Sequence, residues 1–232
     1  MKTIGLIGGM SWESSLEYYR IINERIKQSL GGLHSAKCLM YSMDFHEVET
    51  QMNKNRWESV TRLILAAAQK LEEAGADCLV ICTNTIHKVA DDIEVSISIP
   101  LLHIADATGT SILQRGLKKV GLLGTRFTME EEFYRQRLKE KYLLDVIIPT
   151  ESERNIIHNF IFKELCLGIM NETTRKTFQE IMKSLSKRGA EGIILGCTEL
   201  PLIIQEEDST VHLFDSMDLH ARYAVNFSLG KK

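Results

Sequence analysis

The chain repeats itself, and no other feature constrains its fold as strongly. The segment from Gly75 to Asn84 (GADCLVICTN) aligns without a gap onto Gly189 to Thr198 (GAEGIILGCT), an offset of 114 positions. Gly5-Leu6-Ile7-Gly8, followed by a stretch containing Tyr18, likewise matches Gly121-Leu122-Leu123-Gly124, followed by one containing Tyr134, at an offset of 116. Two offsets that differ by two residues are what duplication of one unit and a small later insertion or deletion leave behind. The chain reads as two related halves that meet near Pro100.

Short β-branched or aliphatic runs alternate with longer amphipathic stretches in both halves, the pattern of parallel strands covered by helices. Strands are expected at Thr3 to Ile7, Lys37 to Ser42, Cys78 to Cys82, Leu101 to His103, Lys119 to Leu123, Leu143 to Ile148, Gly192 to Leu195 and Val211 to Phe214. Helices are expected at Ser14 to Leu30, Trp57 to Glu73, Ile104 to Arg115, Met129 to Lys139, Glu153 to Leu167 and Glu172 to Arg188. The expected fold class is α/β, with two pseudo-symmetric lobes, each a mostly parallel sheet flanked by helices, and a cleft between them. Residues 1–99 with 210–232 are assigned to the N-terminal lobe and 100–209 to the C-terminal lobe.

With 28 Lys and Arg against 31 Asp and Glu, the net charge of −3 and the lack of a basic run argue against a nucleic-acid partner. The apolar stretch at the N-terminus is too short for a signal peptide, and no window approaches the roughly 18 apolar residues that span a bilayer. A cytoplasmic protein that does not touch the membrane is the expectation. The five cysteines, Cys38, Cys78, Cys82, Cys166 and Cys197, contain no CxxC pair and no zinc spacing, so free thiols and no metal are expected. Gly8-Gly9 lacks the spacing of a dinucleotide or Walker loop. Symmetric dimers are the commonest assembly, which makes a homodimer the expected state.

Ligands of open α/β sheets bind beyond the carboxyl ends of the strands, and both copies of the repeat turn polar there. The 114-residue offset pairs Thr83 with Cys197, a hydroxyl in one half and a thiol in the other. Asn84, Thr85 and Thr198 follow directly, either as donors to a ligand or as helix caps. Met10 and Ser11 in the first glycine loop are candidates for closing the pocket. Thr125 and Thr128 in the second glycine loop, and Gln51 after the second strand, are further polar candidates for holding a ligand. Lys163 has the look of a solvated helix face. Glu199, beside Cys197, is placed to take the thiol's proton, His87 to orient a neighbour or cap a turn, and His103 and Asp106 to serve structure.

Ile7-Gly8-Gly9-Met10-Ser11-Trp12-Glu13-Ser14, Asn84-Thr85-Ile86-His87 and Gly196-Cys197-Thr198-Glu199, in that order, resemble the PLP-independent aspartate/glutamate racemase family across essentially the whole chain. The resemblance implies two similar lobes, no cofactor, an acidic amino acid as small-molecule substrate, and a pair of cysteines that serve opposite faces of its Cα. This sequence departs from the pattern at the first position, where Thr83 replaces cysteine and Cys82 stands one residue out of register. An aliphatic alcohol is too weak an acid to act as a base near neutrality. Cys197 is therefore expected to be the strong base, with Thr83 as donor or relay and a preference for L substrates. Adjacent residues of a strand point to opposite faces, which turns Cys82 away unless a bulge re-aims it. A single-cysteine decarboxylase or isomerase of the same superfamily and a non-catalytic binder of acidic amino acids remain as alternatives.

Overall fold

The computed structural model describes residues 1–231, which fall into two compact units: Met1–Ile104 with the segment from His220 onward, and Ala105–Leu219. The first unit runs β1 (Ile4–Gly8), α1 (Trp12–Leu30), β2 (Cys38–Ser42), α2 (Phe45–Asn53), α3 (Trp57–Glu73), β3 (Cys78–Ile81), a 3-10 turn (Thr85–Val89) and α4 (Ala90–Glu94). Its strands are parallel in the order β2-β1-β3, and a single parallel bridge from Leu79 to Leu101 adds a fourth position. β1 and β3 are buried at every residue, as strands covered on both faces must be. α3 offers the sheet Val60, Ile64, Ala67, Ala68 and Leu71, all buried and all spaced for one helical face.

The second unit holds most of α5 (Ile104–Gln114), then β4 (Lys119–Gly124), α6 (Arg126–Glu130), α7 (Glu132–Tyr142), β5 (Asp145–Ile147), α8 (Glu151–Lys163), α9 (Glu172–Lys187), β6 (Gly192–Gly196) and β7 (His212–Asp215), and the start of α10 (Ser216–Ser228). The sheet order is β5-β4-β6-β7, again all parallel. The order β2-β1-β3-Leu101 is the same arrangement, strand for strand, so the duplication read from sequence is a duplication of topology. Parallel neighbours need long crossovers, which the helices supply.

The matched tyrosines carry the repeat into the core. Tyr18 and Tyr134 are both fully buried. Tyr18 shares a 2.9 Å hydrogen bond with His220 Nδ1, and the Tyr134 hydroxyl donates to Thr108 Oγ1 at 3.3 Å. His220 Nε2 lies 2.6 Å from the Leu102 carbonyl, which can only accept, so the ring proton sits on Nε2 and Nδ1 accepts from Tyr18. Tyr18→Phe removes that donor from a buried nitrogen, and its expected cost is about 1–3 kcal/mol. Urea unfolding should show a lower midpoint at an unchanged slope.

Several expected boundaries move. β7 joins β6 in the second sheet, so residues 210–219, assigned by sequence to the N-terminal lobe, belong with the second unit, and 100–104 belong with the first. The strand expected at Leu101 to His103 is one bridge. Leu143 takes a left-handed conformation, φ 56°, and closes α7, which shortens the strand expected from that position to β5. Glu131, in extended conformation, splits the helix expected from Met129 into α6 and α7. α2, α4 and α10 have no counterpart among the expected helices. α10 nonetheless buries Met217, Ala221, Ala224 and Val225 at helical spacing. Among the described residues no helix is long and apolar enough to cross a membrane.

Candidate functional site

In each sheet the parallel strands end along one edge, and the candidate residues other than Gln51, which is on α2, lie in the loops and first helical turns that leave it. In the second unit Gly124 of β4 stands in register with Gly196 of β6. A Cβ on Gly124 would sit 2.7 Å from the Gly196 carbonyl oxygen, so only glycine lets the two strand ends run this close. Thr125 then caps α6 by accepting the Thr128 N–H at 3.3 Å, and the two buried hydroxyls are 3.2 Å apart. Both threonines thus hold the loop beside the next strand's end, and the capping role is the one their geometry shows.

Cys197 follows Gly196 and is buried. Its thiol donates to Glu199 Oε2 at 2.9 Å, and the Thr198 hydroxyl donates to the same oxygen at 2.9 Å. Glu199 is itself only 5% exposed. Burial pushes the Cys197 thiol well above its ordinary range, and the neighbouring Glu199 carboxylate, with Cys166 beyond it, adds to the shift. The thiol therefore rests protonated with its proton aimed at a carboxylate, a buried acid–base pair. One strand further along, Asp215 pairs with Leu195 and caps α10 by accepting the N–H groups of Met217 and Asp218 at 2.9 and 3.1 Å. Burial pushes its carboxyl up to about 6. Ser216 donates to the Leu195 carbonyl at 2.7 Å and ties the same strand ends together.

In the first unit the glycine loop after β1 is held by its own hydroxyls. The Gly9 N–H donates to Ser15 Oγ at 2.8 Å, Ser15 donates to the Ser11 carbonyl at 2.8 Å, and Ser11 caps α1 by accepting the Ser14 N–H. Gly9 has φ +87°, and a Cβ there would run into the Met43 backbone. Met10 and Ser11 are buried by this loop. At the end of β3, Cys82 is fully buried, its thiol points at the Val80 carbonyl of its own strand, and burial pushes its pKa up sharply. Thr83 is half-buried, and Asn84 and Thr85 are buried. The Asn84 side chain does not cap the following turn.

Gln51 lies on α2 and lines a cavity of about 300 Å³ with Ser59, Arg62, Leu63 and Ala66. Lys163 is exposed in the last turn of α8. Asp106 is bonded by Arg137 at 2.8 and 2.9 Å and by Lys141 at 2.6 Å, and His103 stacks on His87. Among the described residues no group of three His, Cys, Asp or Glu is placed to hold a metal ion. Sequence reasoning missed Asp215 and His220. Asp215 stands just before the apolar periodicity of α10, a helix-start signal that could have found it. Nothing local marks His220, whose partners are more than a hundred residues away.

The family model for Asp/Glu/Hydantoin racemase matches residues 7–224. A candidate Asp/Glu racemase from Yersinia pestis, solved as a crystal structure, is 51% identical over 99% of this chain and 100% of its own, with a TM-score of 0.93. An aspartate racemase homologue from Pyrococcus horikoshii is 37% identical with the same coverage and a TM-score of 0.85. The broad specificity amino-acid racemase RacX of Bacillus subtilis is 26% identical over 73% of this chain and 72% of its own length. The chain belongs to the Asp/Glu/hydantoin racemase family, a PLP-independent family of amino-acid racemases, and is an isomerase.

Proposed function

We propose that this enzyme racemises L-aspartate and L-glutamate without a cofactor, with Cys197 as the thiolate base and Thr83 in the place of a second cysteine. The observation that carries the proposal is the 2.9 Å contact between the Cys197 thiol and Glu199 in a buried setting. Glu199 takes the thiol proton, and the thiolate then takes the Cα proton of the L enantiomer. Two electrons left on Cα delocalise into the α-carboxylate, whose growing negative charge calls for donors already in place. Asn84, Thr85 and Thr198 are the donors assigned to it, with Met10 and Ser11 closing the pocket and Thr125, Thr128 and Gln51 on the side-chain carboxylate.

A carbanion is a strong base, so a hydroxyl behind it is acid enough to return a proton: the Thr83 O–H breaks as the new Cα–H forms, the alkoxide takes a proton from water, and Glu199 releases the proton it took from the thiol to solvent, which restores the resting pair. Inversion through Thr83 runs in both directions with equal kcat/KM, because the enantiomers have equal free energy, and the weak acidity of Thr83 makes it slow from either side. The preference for L substrates is therefore a preference in Cα exchange: Cys197 removes and returns the proton of the L enantiomer directly, whereas exchange of the D enantiomer has to pass through Thr83. Proton NMR in deuterium oxide tests the proposal: the Cα signal of L-glutamate or L-aspartate should disappear with enzyme present. Binding of either amino acid with the Cα signal intact would make the protein a binder, and turnover of an arylmalonate or of maleate instead would make it a decarboxylase or an isomerase of another kind.

A further inference from the structure

We infer that His87 is a positioning residue that sets where the Thr83 hydroxyl stands, and so governs inversion without governing proton removal; this rests on the role given to Thr83 above. The side chain is 2% exposed and sits on the 3-10 turn that follows Thr83. Its Nδ1 lies 2.8 Å from the Thr83 carbonyl oxygen, and its Nε2 accepts the Ile104 N–H at 3.2 Å. A carbonyl oxygen only accepts and an N–H only donates, so both contacts are satisfied together only when the single ring proton is on Nδ1. The backbone N–H of His87 also donates to the Asn84 carbonyl at 3.1 Å. One residue thereby grips the carbonyls of two successive candidate site residues.

The other end of the grip is anchored. Ile104 is reached from β3 through Leu102, whose N–H donates to the Leu79 carbonyl at 2.8 Å and whose carbonyl accepts from His220 at 2.6 Å. The His87 ring packs against His103 and His220, with centroids 4.5 and 5.6 Å away. Three imidazoles and the Tyr18 hydroxyl therefore form a buried polar cluster directly behind the Thr83 turn. A buried network of this kind fixes one arrangement of the backbone it holds. An error of about 1 Å in the placement of a reacting group can cost on the order of a hundredfold in rate.

Two variants and one spectrum test the inference. In His87→Leu both ring bonds are lost, whereas in His87→Gln the amide can donate to Thr83 and accept from Ile104. With L-glutamate in deuterium oxide, total Cα exchange is read by NMR and D-glutamate formation by chiral chromatography. We expect His87→Leu to keep total exchange within about threefold while D product falls roughly tenfold to a hundredfold, and His87→Gln to recover most of the loss. Equal losses in both readouts, unchanged D product in His87→Leu, or a wild type that exchanges only with retention would each overturn the inference. If neither variant folds, the ¹⁵N spectrum of the wild-type imidazole decides, with a proton on Nδ1 supporting the inference and one on Nε2 overturning it. A wild type with no exchange at all overturns the proposed reaction and leaves the ¹⁵N result to decide the His87 geometry.

Discussion

Cys197→Ala is expected to lose Cα exchange with L-glutamate by roughly 10³-fold to 10⁴-fold, the upper part of what removing a positioned proton acceptor costs. No other group at the end of β6 can replace the thiol. Thr198 is an alcohol already donating to Glu199, and Glu199 itself stands at 2.9 Å from the sulfur it serves. Cys82 does not rescue the variant, because its thiol is fully buried against the Val80 carbonyl and burial holds it protonated. The fold should survive, since the alanine fills less space than the thiol and leaves the Thr198 to Glu199 bond intact. Deuterium wash-in by NMR, with a thermal melt beside it, reads both quantities. Exchange within tenfold of the wild type would remove Cys197 from the reaction.

Much of this site was legible because the chain carries it twice. The 114-residue offset pairs Thr83 with Cys197, and the two stand two residues past the end of β3 and one residue past the end of β6. The pairing of Tyr18 with Tyr134 was legible for the same reason. Their partners were not: His220 and Thr108 lie on α10 and α5, are unlike each other, and reach the tyrosines only after distant chain is folded back. The same folding defeated the domain boundary. β7 is short and carries no sign of which sheet it joins, and only its ladder with β6 decides that. Parity along a strand, which is local, sets Cys82 and Thr83 on opposite faces, and Cys82 is fully buried where Thr83 is half-buried. The roles of hydroxyls were less legible, because Ser11 and Thr125 use theirs to cap helices, and a capping threonine and a ligand-binding one have the same sequence.

Glu199→Gln should change the shape of the pH profile as well as its height. In the mechanism proposed for the wild type the proton passes from sulfur to carboxylate inside the pair, so the reactive form, thiolate beside carboxylic acid, carries the same net charge as the resting form. Its population does not change with pH while the pair holds one proton, and the rate across the neutral range is flat. With glutamine the thiol must lose its proton to solvent. Burial still holds its pKa above the ordinary range, although removing the carboxylate charge lowers it from the wild-type position. The rate of the variant therefore rises about tenfold per pH unit below that pKa, since thiolate is the minor form there. Near pH 7 we expect a loss of roughly 10²-fold or more, shrinking steadily towards pH 9. Rates of Cα exchange measured from pH 6 to 9 check both points. A flat profile in Glu199→Gln would show that the carboxylate does not take the proton, and a rise in the wild type as steep as in the variant would show the same.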